Sequence, residues 1–355
     1  MKRALKLVGG LLVSLAFVWL SLRGKDMGAV WRQLREADYL YLVPYFAILL
    51  VIHVVRTIRW GKLIEPLQKV SFARLNAVCA VGFMALVLLP FRLGELARPY
   101  LIREKGKISG TAAMASVVVE RVLDGLIVAA LLIVLLLRIP GESAQIRWVR
   151  AGGDAMFAFF ATLFVFLVVA YWQKPLALRF ARATLGRVAP AFCERLCGML
   201  EAFIDGLRAL PGWRSLASIV FLTCVYWGIN AWGMQILGYG FGIRLGYVQS
   251  LTVLGVLVIG VMIPAGPGMA GTFQYFCGLG LALFLGRDAT GGRGTAYANV
   301  LWASQFVQQV ALGVVFLFSR HLGVGHRVTF GELMHAEEAM GDEPAAAPAP
   351  SAAVE

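Results

Sequence analysis

Ionisable residues gather in one stretch of this sequence, FRLGELARPYLIREKGKISGTAAMASVVVERVLD, which runs from Phe91 to Asp124, and six of them stand closest to its apolar runs. They are Arg92, Glu95, Arg98, Glu120, Arg121 and Asp124, and strongly apolar runs flank the stretch on both sides. An ionisable group at bilayer depth is costly unless it faces a partner or a cavity, so each of the six is a candidate for function. Arginine's planar fork grips a phosphate through two hydrogen bonds, which suits Arg92, Arg98 and Arg121 to a lipid phosphate. Glu95, Glu120 and Asp124 then serve as counter-charges or exchange protons. Glu120 and Asp124 stand at i and i+4, hence on one helical face, with Arg121 about 100° round. From a helix start near Ala112 they lie roughly 12 Å and 18 Å along the axis, well inside a ~30 Å hydrocarbon core. The same groups also have a purely structural use, pairing with one another to lock a hairpin. The residues alone leave both readings open.

A second constellation is PAGPGMAGTFQYF, which begins at Pro264. Gly266, Gly268 and Gly271 offer closely spaced backbone N–H groups, and a half-helix starting near Gly271 would attract an anionic headgroup to its N-terminus. Gln274 is the long polar side chain just inside. Close packing of small residues is an equal alternative. Gln305, Gln308 and Gln309, with Asn299 nearby, form a polar stripe suited to bonds between helices. His53, Arg56, Thr57, Arg59 and Trp60 end a predicted helix and read first as an interfacial anchor, with basic groups snorkelling beside an aromatic ring, and second as ligand-binding groups.

No enzymatic constellation accompanies these groups. Gly-x-Ser-x-Gly, His-Glu-x-x-His and a phosphate-binding loop of the Walker type are all missing from the sequence, which excludes an ATP-driven pump within this chain. The histidines His53, His321, His326 and His335 are scattered. The five cysteines (Cys79, Cys193, Cys197, Cys224 and Cys277) lack metal spacing and read as free thiols. No cofactor and no metal is expected.

The elements that must position the charges are helices in a membrane. The chain is 59% hydrophobic and 15% charged, with mean hydropathy +0.76, whereas soluble domains average about 25% charged residues. Several apolar runs have the roughly 17–25 residues a helix needs to cross hydrocarbon. The fold class is therefore all-α, a polytopic helical membrane protein. The net charge of +13 reflects basic loops beside anionic lipid rather than nucleic-acid binding.

In chain order, helices are predicted at about 5–22, 39–58, 112–137, 154–172, 216–238 and 296–319. The first has a basic start but no small-x-small cleavage site, so it reads as an uncleaved helix. Short apolar runs lie at 75–89, 250–263 and 272–286. Residues 173–214 form a polar connection carrying an amphipathic helix, suited equally to the membrane surface and to packing against the protein's own loops. The Ala/Pro-rich tail, 326–355, is expected to be disordered.

The short runs share a pattern. Val87-Leu88-Leu89-Pro90 precedes Gly94, and Val261-Met262-Ile263-Pro264 precedes Gly268. Proline removes a backbone donor and glycine permits a reversal, so each site should break its helix. Paired broken segments in the two halves of a transporter point to its binding site. If both are re-entrant hairpins, about 74–103 and 250–286, and the N-terminus is cytoplasmic, the cytoplasmic side holds 22 Lys and Arg against 10 outside. If every run crosses fully the split is 14 against 18, and the usual bias vanishes. The count therefore selects re-entrant hairpins arranged as an inverted repeat.

RLGELARPYLI, ASVVVERVLDGL and IPAGPGMAGTFQYF, in that order, resemble the lysylphosphatidylglycerol synthase transmembrane-region family of flippase-like membrane proteins, over about residues 5–320. The resemblance implies several helices with re-entrant segments and, in the best-understood members, translocation of a modified phospholipid. Arg92, Gly94, Glu95, Arg98, Glu120, Arg121, Asp124, Pro264, Gly268 and Gly271 match the family's characteristic positions. No aminoacyltransferase domain follows the last helix here, so synthesis of an aminoacyl-lipid is not expected. The reading is a lipid translocase of a bacterial inner membrane, moving an anionic or phosphate-bearing lipid, either a phospholipid or a polyprenyl-linked one. The alternative is a non-transporting accessory subunit of a lipid- or glycan-lipid-modifying pathway. A transferase using Glu120 or Asp124 as base ranks third. Lipid- or glycan-modifying enzymes and further copies of the chain are the candidate protein partners.

Overall fold

A computed structural model describes residues 2–89, 94–103, 108–139, 144–175, 178–179, 183, 197–198, 201, 204–205, 213–263, 265–286 and 291–319. Pro90, Arg92, Pro264, the tail and most of the 173–214 connection lie outside those residues. Within lipid, backbone polar groups must be satisfied inside their own segment, and the described chain answers with helices. They are α1 (Lys2–Leu22), α2 (Met27–Glu36), α3 (Leu42–Ile64), α4 (Phe72–Leu88), α5 (Ala97–Ile102) and α6 (Gly110–Leu136). After these come α7 (Ala144–Trp172), α8 (Trp213–Gly240), α9 (Tyr247–Met262), α10 (Thr272–Leu285) and α11 (Gly292–Leu317). The protein is a polytopic all-helical membrane protein.

Length divides these helices into two groups. α1, α3, α6, α7, α8 and α11 have 21 to 29 residues, or about 32–44 Å, enough to cross a ~30 Å core. α4, α9 and α10 have 17, 16 and 14 residues, at most about 26 Å. α4 and α9 each stop two residues before a proline, and the residue between is extended. Leu89 has ψ 138° and Ile263 has ψ 124°. A following proline ring forces this geometry on its predecessor.

Starts are set by side chains that occupy the free N–H groups of the first turn. Asp26 accepts from Gly28 and Ala29, Ser71 from Arg74, and Ser109 from Ala112. The helices then pack through small residues that allow close approach. α6 meets α7 where Gly125 faces the Phe160 ring, and α11 meets α4 where Gly313 faces Met84. α9 and α10 pack as a hairpin, with Gly260 against Phe276. Among the described residues the two largest apolar clusters divide the bundle. One joins α3, α8, α9, α10 and α11 with parts of α6 and α7, and the other joins the end of α3 with α4, α5 and the start of α6. The charged residues sit between them.

Candidate functional site

α6 places Glu120 about 15 Å and Asp124 about 21 Å from its start, one above the other. Their exposures are 1% and 2%, so neither charge reaches solvent. Three helices bring guanidinium groups to them. Arg59 of α3 donates from Nη2 to Glu120 Oε1 (2.6 Å) and from Nη1 to Asp124 Oδ1 (2.5 Å). Its Nη1 also donates to Thr223 Oγ1 of α8 at 3.2 Å. Arg98 of α5 donates to Glu120 Oε2 at 2.7 Å. Arg121 donates to Glu120 Oε1 at 2.7 Å and lies 2.9 Å from Asp124 Oδ2. Trp227 Nε1 of α8 adds a bond to Asp124 Oδ1 at 3.2 Å. All four carboxylate oxygens are thereby occupied.

Local sequence makes room for this. Gly82 of α4 lies where a Cβ would overlap the Arg98 stem, so only glycine lets the side chain cross to Glu120. Arg98 then runs between the Trp60 and Phe83 rings, with its guanidinium carbon 5.3 and 5.0 Å from their centres. Trp60 is fixed by its Nε1 bond to Ser116 Oγ at 3.1 Å.

Arg56 is the fourth guanidinium. It lies 3.4 Å over the Phe83 ring, and its buried Nε has no hydrogen-bond partner. Among the described residues four arginines thus surround two fully buried carboxylates, with Glu95 half-buried on the turn before α5. Counting Glu95, the set still carries an excess positive charge.

Arg56, Arg121 and Asp124 form one wall of a cavity of about 150 Å³. Tyr226, Trp227 and Asn230 of α8 form the next wall. Gly268 and Met269, from the turn between α9 and α10, complete the lining with Trp302, Gln305 and Gln309 of α11, and Trp302 Nε1 donates to the Gly268 carbonyl at 2.7 Å. A larger groove of about 1000 Å³ runs between α1, α7, α9 and α10, mainly apolar, with Arg23 and Lys25 at its rim. None of the cluster lines that groove. The smaller cavity is the polar site because the charges open onto it.

Arg98, Glu120, Arg121 and Asp124 are therefore brought together, and Gly268 joins them across the cavity. The other positions of the second constellation are engaged within the protein. Gly266 N–H donates to Ser14 Oγ of α1 at 2.9 Å, and Gly271 N–H to Gln274 Oε1 at 2.7 Å. Gly271 has φ +87°, and a Cβ there would overlap the α1 backbone at Ser14 and Val18. Gly94 likewise sits where a Cβ would strike the backbone of Ala85 and Leu86, so the chain after the first break folds tightly onto α4. Cys79, Cys197, Cys224 and Cys277 form no disulfide, and the described residues hold no group of metal-ligating side chains.

The interfacial-anchor reading of the α3 end is corrected. Arg59 and Trp60 have 0% exposure, and the buried His53 ring bonds Asn76 Oδ1 at 3.0 Å. The expected helix end at residue 58 put these groups at the membrane surface, whereas α3 continues to Ile64 and carries them inward. The available signal was their spacing. Arg56 and Arg59 stand at i and i+3, on the face a neighbouring carboxylate helix would meet.

The chain is 25% identical over 303 residues to the glycosyltransferase AglD of Haloferax volcanii, an alignment covering 77% of this chain and 48% of that protein. It thus spans about half the length of that relative. No solved structure matches it significantly. A family model aligns over residues 7–313, and on that match the chain belongs to the lysylphosphatidylglycerol synthase TM region family.

Proposed function

We propose that this protein translocates an anionic, phosphate-bearing lipid between leaflets, with the headgroup passing through the Arg56–Arg121 cavity. One observation carries the reading: among the described residues four buried or half-buried guanidiniums, Arg56, Arg59, Arg98 and Arg121, stand against three carboxylates, Glu95, Glu120 and Asp124, beside a cavity within the helix bundle. Glu120 and Asp124 act as fixed counter-charges that hold Arg59, Arg98 and Arg121 in place. Arg121, whose side chain is 20% exposed, and Arg56 are the groups turned toward cargo. The apolar groove of about 1000 Å³ suits the lipid chains. The reading is non-enzymatic, because every oxygen of the candidate bases is already bonded.

The transport route would lie between two re-entrant hairpins entering from opposite faces. The paired extended residues before Pro90 and Pro264 support this, as does the packing of α4 against the Pro267–Met269 turn. Shared depths of helix ends support it too. Lys25 Nζ bonds Thr295 at one end of the bundle, and Asp38 N–H bonds the Gly240 carbonyl. In this reading the membrane is a bacterial inner membrane with the N-terminus cytoplasmic, an orientation supported by the Lys and Arg count of the loops. The alternative, an accessory subunit of a glycan-lipid pathway, draws on the name of the Haloferax relative and on the closed pairing of Glu120.

The test is lipid scrambling in proteoliposomes with the wild type, Arg121→Ala and Arg56→Ala. Scrambling by the wild type and a loss of at least about tenfold in folded variants is expected, since each removes a charge-assisted bond to phosphate. Equal rates in all three would overturn the assignment.

A further inference from the structure

We infer that the headgroup carried by this site is a phosphate bearing an uncharged, hydroxyl-rich group, glycerol or sugar, and not an amine. The inference rests on the cavity being the headgroup site and adds what else that site can bind. Two walls of the cavity beyond the arginines carry amides. Asn230 Nδ2 donates to the Tyr226 carbonyl at 2.8 Å, and Gln309 Nε2 donates to the Gln305 carbonyl at 3.3 Å. Those bonds require nitrogen in each place, so each amide keeps its oxygen as an acceptor, and one further N–H, for a ligand, a pairing that a hydroxyl can meet from both sides. Gln305 Nε2 is held by the Tyr45 hydroxyl at 3.1 Å. The cavity therefore combines guanidinium donors on one wall with amide acceptors on the others.

A phosphate satisfies the donors. The acceptors need O–H or N–H groups from the same ligand, and charge decides between them. An ammonium headgroup wants a free carboxylate, but both Asp124 oxygens are held by Arg59 and Arg121, with Trp227 on one of them. Arg56, with its unbonded Nε, would also repel a cation. Hydroxyls meet neither obstacle. The stacked Trp302 and Phe306 rings, 5.5 Å between centres, add an apolar face of the kind a sugar or glycerol CH surface covers. At about 150 Å³ the space takes one small polar group rather than a whole lipid.

The experiment measures binding first, so that it does not depend on transport. Purified protein in detergent is titrated with phosphatidylglycerol, a hexosyl-phosphoprenol, phosphatidylethanolamine and lysylphosphatidylglycerol, following the fluorescence of Trp227 and Trp302, with Trp302→Phe identifying the local signal. Either or both hydroxyl-bearing anions should bind about tenfold tighter than the two amine lipids, and whichever binds tighter identifies the source. Gln309→Leu and Asn230→Leu should each cut that preference about fivefold. Equal binding of all four lipids, tighter binding of an amine lipid, or a preference unmoved in both variants overturns the inference. Selective binding with no scrambling would instead overturn the translocase reading and leave the headgroup assignment standing.

Discussion

Glu120→Gln removes one charge and keeps the side chain's shape, which makes it the sharpest probe of the cluster. Glu120 accepts from Arg59 at 2.6 Å, Arg98 at 2.7 Å and Arg121 at 2.7 Å. After the substitution Asp124 alone opposes Arg59 and Arg121, while Arg98 loses its charge-assisted bond to Glu120 and keeps the Trp60 and Phe83 faces. Removing one member of a buried ion pair typically costs about 3–5 kcal/mol. Hydrogen bonds within membranes measure lower, about 0.6 kcal/mol on average, because the unfolded chain in lipid finds other partners. Charge decides in favour of the larger figure, since a buried guanidinium that loses its counter-charge has few alternatives there. We expect about 3 kcal/mol and a fall in Tm of about 4 °C. The assay is thermal unfolding in detergent, followed by tryptophan fluorescence. Arg98→Gln added to Glu120→Gln should recover about 1–3 kcal/mol relative to the sum of the single losses, because the two changes share one contact. A Tm within about 1–2 °C of wild type for Glu120→Gln, or strict additivity in the double variant, would falsify the picture of Glu120 as the shared counter-charge.

Further expectations follow from the same geometry. Gly271→Ala should cost about 2 kcal/mol or more, as it places a side chain at positive φ and into the α1 backbone; its Tm against wild type checks this. Gly82→Leu should displace Arg98 from Glu120 and lower stability comparably, whereas Gly278→Ala, with open space around it, should leave Tm unchanged. A single cysteine at Arg103 should be labelled from the cytoplasmic side of inverted or intact vesicles; labelling from the other side refutes the re-entrant first hairpin. Lys174, outside the membrane segments, has its pKa raised by Asp205 and Glu201, which oppose its desolvation. That stability is present below the lysine's unfolded pKa and lost as pH rises through the folded one. Its exposed partners keep it under about 1 kcal/mol, so Lys174→Ala should change Tm only slightly, and less in high salt.

Composition and hydropathy determined the membrane class and the helices, because each is a property of contiguous residues in one solvent. Pro90 and Pro264 fixed where α4 and α9 end, since proline acts on its own predecessor. The 3.6-residue period put Glu120 and Asp124 on one face whatever their neighbours. What they face was decided by tertiary structure. Arg59 stands 61 and 65 residues from its two carboxylates, and Trp227 stands 103 residues from Asp124. No local pattern encodes such pairings. They depend on α3, α5, α6 and α8 reaching the same depth at the same rotation. The continuation of α3 to Ile64 moved Arg59 from an expected surface to the centre of the cluster, so a helix boundary, the least local-sequence-determined feature of a helix, changed a residue's role. The cavity is likewise a tertiary fact. It exists only where the Gly268 turn, α8 and α11 converge on Arg121, and its amide and guanidinium walls come from segments that the chain order keeps far apart.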